Sequence, residues 1–173
     1  MNPEKINPMD FTLRPWATSD TDALVEYGNN INIAKNMRNV FPHPYTKEDA
    51  IQFLERTIPM QPVNIFAIDI GGKASGGIGI FPQTDIMCKN AELGYWLAEP
   101  FWGRGIITKA IGQMVDYGFK SFDIDRIFAI PFGTNTASQK ALEKAGFVVE
   151  ARFEKTIFKN GEYFDELIYA IRR

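Results

Sequence analysis

Two glycines precede a long amphipathic segment, in the stretch Trp102-Gly-Arg-Gly105. Because glycine has no Cβ, the backbone at Gly103 and Gly105 can adopt a positive φ and let a bulky anion approach the main-chain amides. The first N–H groups of a helix lack intrahelical partners and carry roughly half a positive charge, so a helix beginning near Gly103 suits a phosphate or pyrophosphate. Arg104 and Thr108 can add contacts. The glycines could equally serve only a tight strand-to-helix turn, since a lone G-x-G is a weak signal.

The residues on either side of this loop predict a strand and a helix. From Glu92 to Ala98 the side chains alternate, with Leu93, Tyr95 and Leu97 on one face, which is the pattern of a strand. After Pro100 the period becomes that of a helix. The predicted buried stripe consists of Ile107, Ala110, Ile111, Met114, Val115 and Gly118. A strand therefore leads into the glycine loop and a helix leaves it.

Two common phosphate-binding motifs are excluded. The P-loop G-x-x-x-x-G-K-[ST] does not occur, and the dinucleotide fingerprint G-x-G-x-x-G would need a glycine where Thr108 stands. That fingerprint also belongs to repeated parallel βαβ units, whereas the strands before Glu92 are joined by hairpin residues such as Gly71-Gly72. The loop must belong to a different anion-binding fold.

The string GYWLAEPFWGRGIITKA, followed by NTASQKALEKAGF, resembles the GNAT-type N-acetyltransferases, specifically their RimJ/RimL branch. The pyrophosphate loop of that family is [Q/R]-x-x-G-x-[G/A]. Gly105 matches its central glycine, Trp102 replaces its first polar residue, and Ile107 stands where the family usually has Gly or Ala. The resemblance runs from Leu13 to Tyr169. It implies that acetyl-CoA is bound by the loop and first helical turn, namely Trp102, Gly103, Arg104, Gly105, Ile107 and Thr108.

The same resemblance implies the fold. It is an α/β (α+β) fold of the GNAT type, with a mixed, mostly antiparallel central sheet and helices on both faces. The sheet is splayed between the strand ending near Ala98 and the strand near Arg126-Pro131. The pantetheine arm of the cofactor lies in that gap, where Leu97 and Ala98 offer backbone groups, and a backbone N–H near Leu97 serves as the oxyanion donor. Unpaired strand amides can bind an extended ligand as an added strand would.

Acyl transfer from a thioester to an amine requires an uncharged amine, a stabilised oxyanion and a departing thiolate, but no nucleophilic side chain. Glu92 is our candidate base. It lies on the strand before the loop, on the same face as Trp96 with only Gly94 between them, and many family members have a glutamate here. In a partly dry cleft beside an aromatic ring we expect a raised pKa. The alternative is a strand-end glutamate that pairs with Lys89 or another cation.

Asn135 and Ser138 are one helical turn apart, so both point from one face of the predicted helix. Family members often use this N-x-x-S pair to hold the pantetheine and to protonate the thiolate, so Ser138 is a second catalytic candidate. An ordinary cap, with Asn135 at the N-cap and Ser138 at the third position, accounts for the same spacing. His43 between two prolines is more typical of a surface residue. Tyr163 and Asp165 could line an acceptor pocket or belong to a pleated strand face.

Composition limits the number of domains, the class of ligand and the cellular compartment that we expect. The 173 residues are 45% apolar with a net charge of −2 and a pI of about 5.5, which favours one domain over residues 1–173 and argues against nucleic acid as a ligand. Residues 1–10 are expected to form a loose arm. Cys88 is the only cysteine, so we expect no disulfide and no metal site. We further expect a cytoplasmic protein without a membrane span, monomeric or homodimeric.

The remaining pattern predicts a strand over Phe11 to Trp16, helices after Ser19 or Asp20, over Ile31 to Met37 and after Thr46, and a hairpin around Asn160-Gly161. The function that follows is an acetyl-CoA-dependent N-acetyltransferase that acts by direct attack in a ternary complex. Its acceptor is a primary amine, either a protein N-terminus or a small molecule. A CoA-binding module without transferase activity and an unrelated nucleotide binder are the alternatives.

Overall fold

The computed structural model describes residues 10 to 173. Within that range the strands are β1 Thr12–Pro15, β2 Ile65–Ile70, β3 Lys73–Pro82, β4 Asn90–Leu97, β5 Arg126–Ala129, β6 Val148–Lys159 and β7 Glu162–Arg172. The helices are α1 Thr21–Gly28, α2 Ile31–Ala34, α3 Lys47–Thr57, α4 Ile106–Ser121 and α5 Thr136–Lys144. Short 3-10 turns cover Thr18–Asp20, Asp85–Met87 and Glu99–Phe101. Of the expected N-terminal arm, residues 1–9 lie outside the described residues.

The described strands form one seven-stranded sheet in the order β1-β2-β3-β4-β5-β7-β6. β1 with β2, β5 with β7 and β6 with β7 pair antiparallel, whereas β4 and β5 pair parallel. The β4–β5 register runs from Asn90 opposite Arg126 to Glu92 opposite Phe128, although β4 continues to Leu97. The predicted mixed, mostly antiparallel fold class is therefore confirmed, and the β4–β5 register covers only the first three residues of β4.

The described residues fall into two compact units, and the prediction of a single domain stays a prediction. The first unit runs up to Ile78 and includes Tyr95–Ala110. Its core is apolar, with both aromatic and aliphatic side chains, and includes Trp16, Leu24, Ile33, Tyr45, Leu54, Ala67 and Trp96. Thr46 begins α3 as predicted, in a capping box with Asp49. α2 is shorter than predicted and ends at Ala34, because the asparagine-rich residues that follow favour turns over helix.

The second unit holds Gly79–Gly94 and Ile111–Arg173. Gly118 of α4 is needed for packing, because a Cβ there would lie 2.4 Å from Cδ1 of Ile80 and 3.1 Å from Cδ1 of Ile127. At the end of α5, the N–H of Phe147 donates to the carbonyl of Leu142 at 3.0 Å, which is the glycine-terminated helix end that the sequence predicts around Gly146.

The start of α4 differs from its prediction by three residues. The helix begins at Ile106 rather than near Gly103, and the carbonyl of Gly105 accepts the first helical hydrogen bond from the N–H of Lys109 at 3.2 Å. Ile106 is 1% exposed, whereas Ile107 is only half-buried. The buried stripe is therefore led by Ile106, four residues before the buried Ala110, and not by Ile107.

Candidate active site

The glycine loop adopts the backbone that its residues predict. Gly103 has a φ of 73° and Gly105 a φ of 75°, both in the left-handed region that favours glycine. A Cβ added at either glycine would meet nothing within 4 Å. The conformation, and not crowding, therefore requires glycine at both positions, and the space over the loop is open. Such an open loop before a 16-residue helix fits an anion-binding cradle.

Two side chains of the loop donate hydrogen bonds to main-chain carbonyls of residues just before the loop. The indole Nε1 of Trp102 donates to the carbonyl of Leu97 at 2.7 Å, while 44% of the residue remains exposed. One guanidinium nitrogen of Arg104 donates to the carbonyl of Pro100 at 2.8 Å, and the same group lies 5.5 Å from the centre of the Phe101 ring. Both residues predicted to bind the cofactor thus also hold the loop in shape.

The strand end before the loop already has protein partners. Leu97 and Ala98 are 6% and 1% exposed. The N–H of Ala98 donates to the carbonyl of Ser75 at 2.8 Å, and the carbonyl of Leu97 accepts from Trp102. A carbonyl oxygen has a second lone pair, but an N–H group has a single proton to donate. Any backbone contact to pantetheine here therefore cannot use the Ala98 N–H unless its bond to Ser75 breaks.

Ile107 and Thr108 occupy the first turn of α4, and both are half-buried. The side chain of Ile107 is outside the fully buried stripe. An isoleucine at the position where the family usually has Gly or Ala therefore changes the surface of the first turn more than the core beneath it.

In the second unit, Glu92 is the last residue of β4 in register with β5, and it is half-buried. Gly94, two residues further, offers no side chain, and a Cβ there would approach only the Phe81 ring, at 3.4 Å. Lys89, the cation predicted as an alternative partner of Glu92, binds Asp123 at 2.6 Å. The candidate base therefore stands where the parallel pairing of the two strands ends.

Asn135 is the N-cap of α5, as predicted. Its Oδ1 accepts from the N–H of Ser138 at 3.2 Å. No sequence pattern indicates the role of Gln139, whose Nε2 donates to the carbonyls of Phe132 and Gly133 at 3.1 Å each and so holds the turn that leads into Asn135. The capping interpretation is confirmed, and contacts of Asn135 and Ser138 with a cofactor stay predictions.

Other titratable residues are less suited to catalysis. His43 and Cys88 are exposed. Hydrogen bonds from Arg152 and from the N–H of Lys155 lower the pKa of Asp165, so it is a weaker base than an ordinary carboxylate. Burial raises the pKa of Tyr45 to about 12. Across residues 10 to 173, no group of three or more His, Cys, Asp or Glu is arranged to hold a metal ion.

The glycine loop that precedes a long helix belongs to the sequence string on which the family resemblance rests. The model of the Acetyltransferase (GNAT) domain matches residues 10–148. The chain belongs to this family and is an N-acetyltransferase. A similarity to a putative ribosomal N-acetyltransferase is consistent with the RimJ/RimL branch as well. In the part of the chain that the structure describes, no helix is long and apolar enough to span a membrane.

Relatives and solved structures agree with this assignment. The chain is 29% identical over 165 residues to the uncharacterized N-acetyltransferase p20 of Bacillus licheniformis, covering 93% of this chain and 92% of that protein. It is 31% identical over 89 residues to the putative ribosomal N-acetyltransferase YdaF of Bacillus subtilis, about half of each protein at 51% and 49%. The crystal structure of the Microcin C7 self immunity acetyltransferase MccE, in complex with acetyl-CoA and AMP, superposes with a TM-score of 0.81 at 28% identity, covering 95% and 93%.

Proposed function

We propose that this protein transfers an acetyl group from acetyl-CoA to a primary amine by direct attack in a ternary complex. The observation that carries the proposal is the open glycine loop, in which Gly103 and Gly105 take positive φ directly before α4. Helix-start amides and the helix dipole favour a pyrophosphate there without a basic side chain. The acetyl-CoA complex of MccE, at 28% identity, supports the choice of ligand.

Acetyl-CoA supplies a thioester whose leaving thiol has an ordinary pKa of about 8.5, so the thiolate departs with little help. The amine needs more help, because a primary amine with a pKa of about 8 to 10 is mostly protonated at neutral pH. We assign Glu92 to accept the amine proton through water and Ser138 to donate a proton to the thiolate. Arg104 and Thr108 add contacts to the pyrophosphate, and Asn135 contributes to holding the pantetheine.

The acceptor is either a protein N-terminus or a small-molecule amine. The similarity to a putative ribosomal N-acetyltransferase, which covers about half of each chain, supports the first class. A panel of three amines separates the two classes: a short peptide with a free N-terminus for the first, and a polyamine and an amino acid for the second. The rate of thiol release with each amine identifies the class.

Glu92→Gln tests the assigned base, because it keeps the shape of the side chain and removes its proton acceptor. Calorimetry with CoA, acetyl-CoA, ATP and NAD first establishes that only the two CoA compounds bind the wild-type protein. For Glu92→Gln we expect unchanged acetyl-CoA affinity and a turnover about a hundredfold lower at neutral pH, which recovers as the pH approaches the amine pKa. Glu55→Gln, at an exposed position of α3, is the matched control. A Glu92→Gln protein with wild-type turnover and pH profile would contradict the assignment of Glu92 as the base and leave it a structural role.

A further inference from the structure

The carboxylate of Glu99 joins the start of α2 to the turn that follows β4. Oε2 of Glu99 accepts from Nδ2 of Asn30 at 2.7 Å, and its two oxygens accept from Nδ2 of Asn32 at 3.2 and 3.3 Å. These hydrogen bonds connect residues 67 and 69 positions apart in the sequence, all within the first unit. Both amides donate to one charged acceptor. Hydrogen bonds to a charged acceptor are stronger than hydrogen bonds between neutral groups.

Both asparagines are themselves fixed by the chain. Asn30 is the N-cap of α2, where its Oδ1 accepts from the N–H of Asn32 at 2.8 Å. This bond fixes the orientation of the amide group and therefore of its Nδ2. Oδ1 of Asn32 accepts from Nζ of Lys35 at 3.0 Å. The hydrogen bonds from Asn30 and Asn32 lower the pKa of Glu99, which is consistent with an ionised acceptor.

The turn that carries Glu99 is the base of the glycine loop. The N–H of Trp102 donates to the carbonyl of Glu99 at 3.1 Å, and Arg104 binds the carbonyl of Pro100. The ring of Phe101 contacts the guanidinium of Arg104 and also the ring of Tyr27, whose centroid is 6.1 Å away in an edge-to-face arrangement. This turn is therefore contacted at two points, by Tyr27 of α1 through Phe101 and by the start of α2 through Glu99.

We propose that Glu99 is a positioning residue for the transfer reaction: held by Asn30 and Asn32, it fixes the turn that sets the glycine loop in its binding conformation. Its effect on affinity rests on the function proposed above. The physical reason is that Gly103 and Gly105 leave the loop intrinsically free, and a loop ordered in advance loses less conformational entropy when a ligand binds.

An exchange of donor and acceptor tests this proposal. Asn30→Asp keeps a good N-cap but replaces the Nδ2 donor by a second carboxylate facing Glu99. Adding Glu99→Gln restores the pair in reverse, because the new amide can donate to the carboxylate introduced at position 30 while its oxygen still accepts from Asn32. Asn160→Asp, in the exposed turn between β6 and β7, is the matched control for the first change.

Two readouts are measured on the full-length protein, and the melting temperature confirms that each variant is folded. Without ligand, we expect Asn30→Asp to raise deuterium uptake in peptides covering residues 99–105, and the double variant to return it to the wild-type level. With acetyl-CoA, we expect a dissociation constant about three- to tenfold higher for Asn30→Asp and within twofold of wild type for the double variant.

Unchanged uptake in Asn30→Asp, or a double variant no better than the single one, overturns the proposal. Altered uptake with unaltered acetyl-CoA affinity also overturns it, because the loop would then not depend on Glu99 for binding. If the wild-type protein binds no acetyl-CoA, the function proposed above fails, whereas the uptake measurement still decides whether Glu99 fixes the loop.

Discussion

The two helices α4 and α5 begin in opposite ways. At the start of α5, the side chain of Asn135 accepts from the N–H of Ser138 and so satisfies one of the unpaired donors. At the start of α4 the corresponding position is Gly105, whose φ is 75° and which has no side chain that could cap the helix. One helix start supplies its own acceptor, and the other leaves its donors to water or a ligand.

This difference separates two uses of a helix N-terminus. α5 begins with a cap that stabilises the fold, and the bond uses the main chain of Ser138 and not its hydroxyl. α4 lacks such a cap and is anchored instead by Ile106, which is 1% exposed. The α4 start therefore depends on core packing for its stability, which leaves its surface amides available for an anion.

The largest expected effect tests this anchoring. Ile106→Ala should lower the free energy of unfolding by about 2 to 5 kcal/mol, because it removes a fully buried side chain from the stripe. Ile107→Ala should cost less than about 1.5 kcal/mol, because that side chain is half-buried, and should retain or tighten acetyl-CoA affinity. Urea denaturation of the two variants measures both stability changes, and calorimetry measures the affinity. Equal losses of stability would contradict the assigned phase of the helix.

Gly105→Val comes next and tests the loop itself. A β-branched residue disfavours a φ of 75° by at least about 1 to 2 kcal/mol, so the binding conformation becomes less populated and acetyl-CoA affinity should fall about 5- to 30-fold. Arg104→Ala should weaken binding less, because main-chain amides hold the pyrophosphate. Calorimetry with both variants decides between them. Wild-type affinity in Gly105→Val together with lost binding in Arg104→Ala would contradict a backbone cradle.

Asn135→Ala tests the capped helix start. Losing the cap should reduce the free energy of unfolding by about 1 kcal/mol, and Asn135→Asp, which can still cap, should lose much less. Acetyl-CoA affinity distinguishes the second role. If Asn135 also contacts the pantetheine through its amide, both variants bind acetyl-CoA more weakly. An Asn135→Asp protein with wild-type affinity would leave the residue with capping alone.

Ser138→Ala should leave the cap of α5 intact, because the cap uses the main-chain N–H that alanine keeps. Turnover should fall by no more than about tenfold, since a thiolate leaves readily without an acid. Acetyl-CoA affinity should stay near wild type if Ser138 acts only as that acid. Thiol-release kinetics measure the turnover, and an unchanged value would remove Ser138 from the catalytic step.

Features that depend on a few adjacent residues were predictable from the sequence. Gly103 and Gly105 turn with positive φ, Thr46 caps α3 with Asp49, and Asn160-Gly161 joins β6 to β7. Each is fixed by the backbone preference or the local hydrogen bonds of the residues themselves. The order of strands and helices follows from such local patterns along the chain, whereas the family was identified by the resemblance of the motif strings around Gly105 and Asn135.

The tertiary structure decided what those local patterns leave open. Either Ile106 or Ile107 can lead a stripe through Ala110, since both spacings fit a helix, and only packing selects Ile106. The bond from Ala98 to the carbonyl of Ser75, and those from Asn30 and Asn32 to Glu99, join residues far apart in the sequence. Such pairs leave no periodic pattern in the sequence, because they form only when burial of the core brings distant segments together.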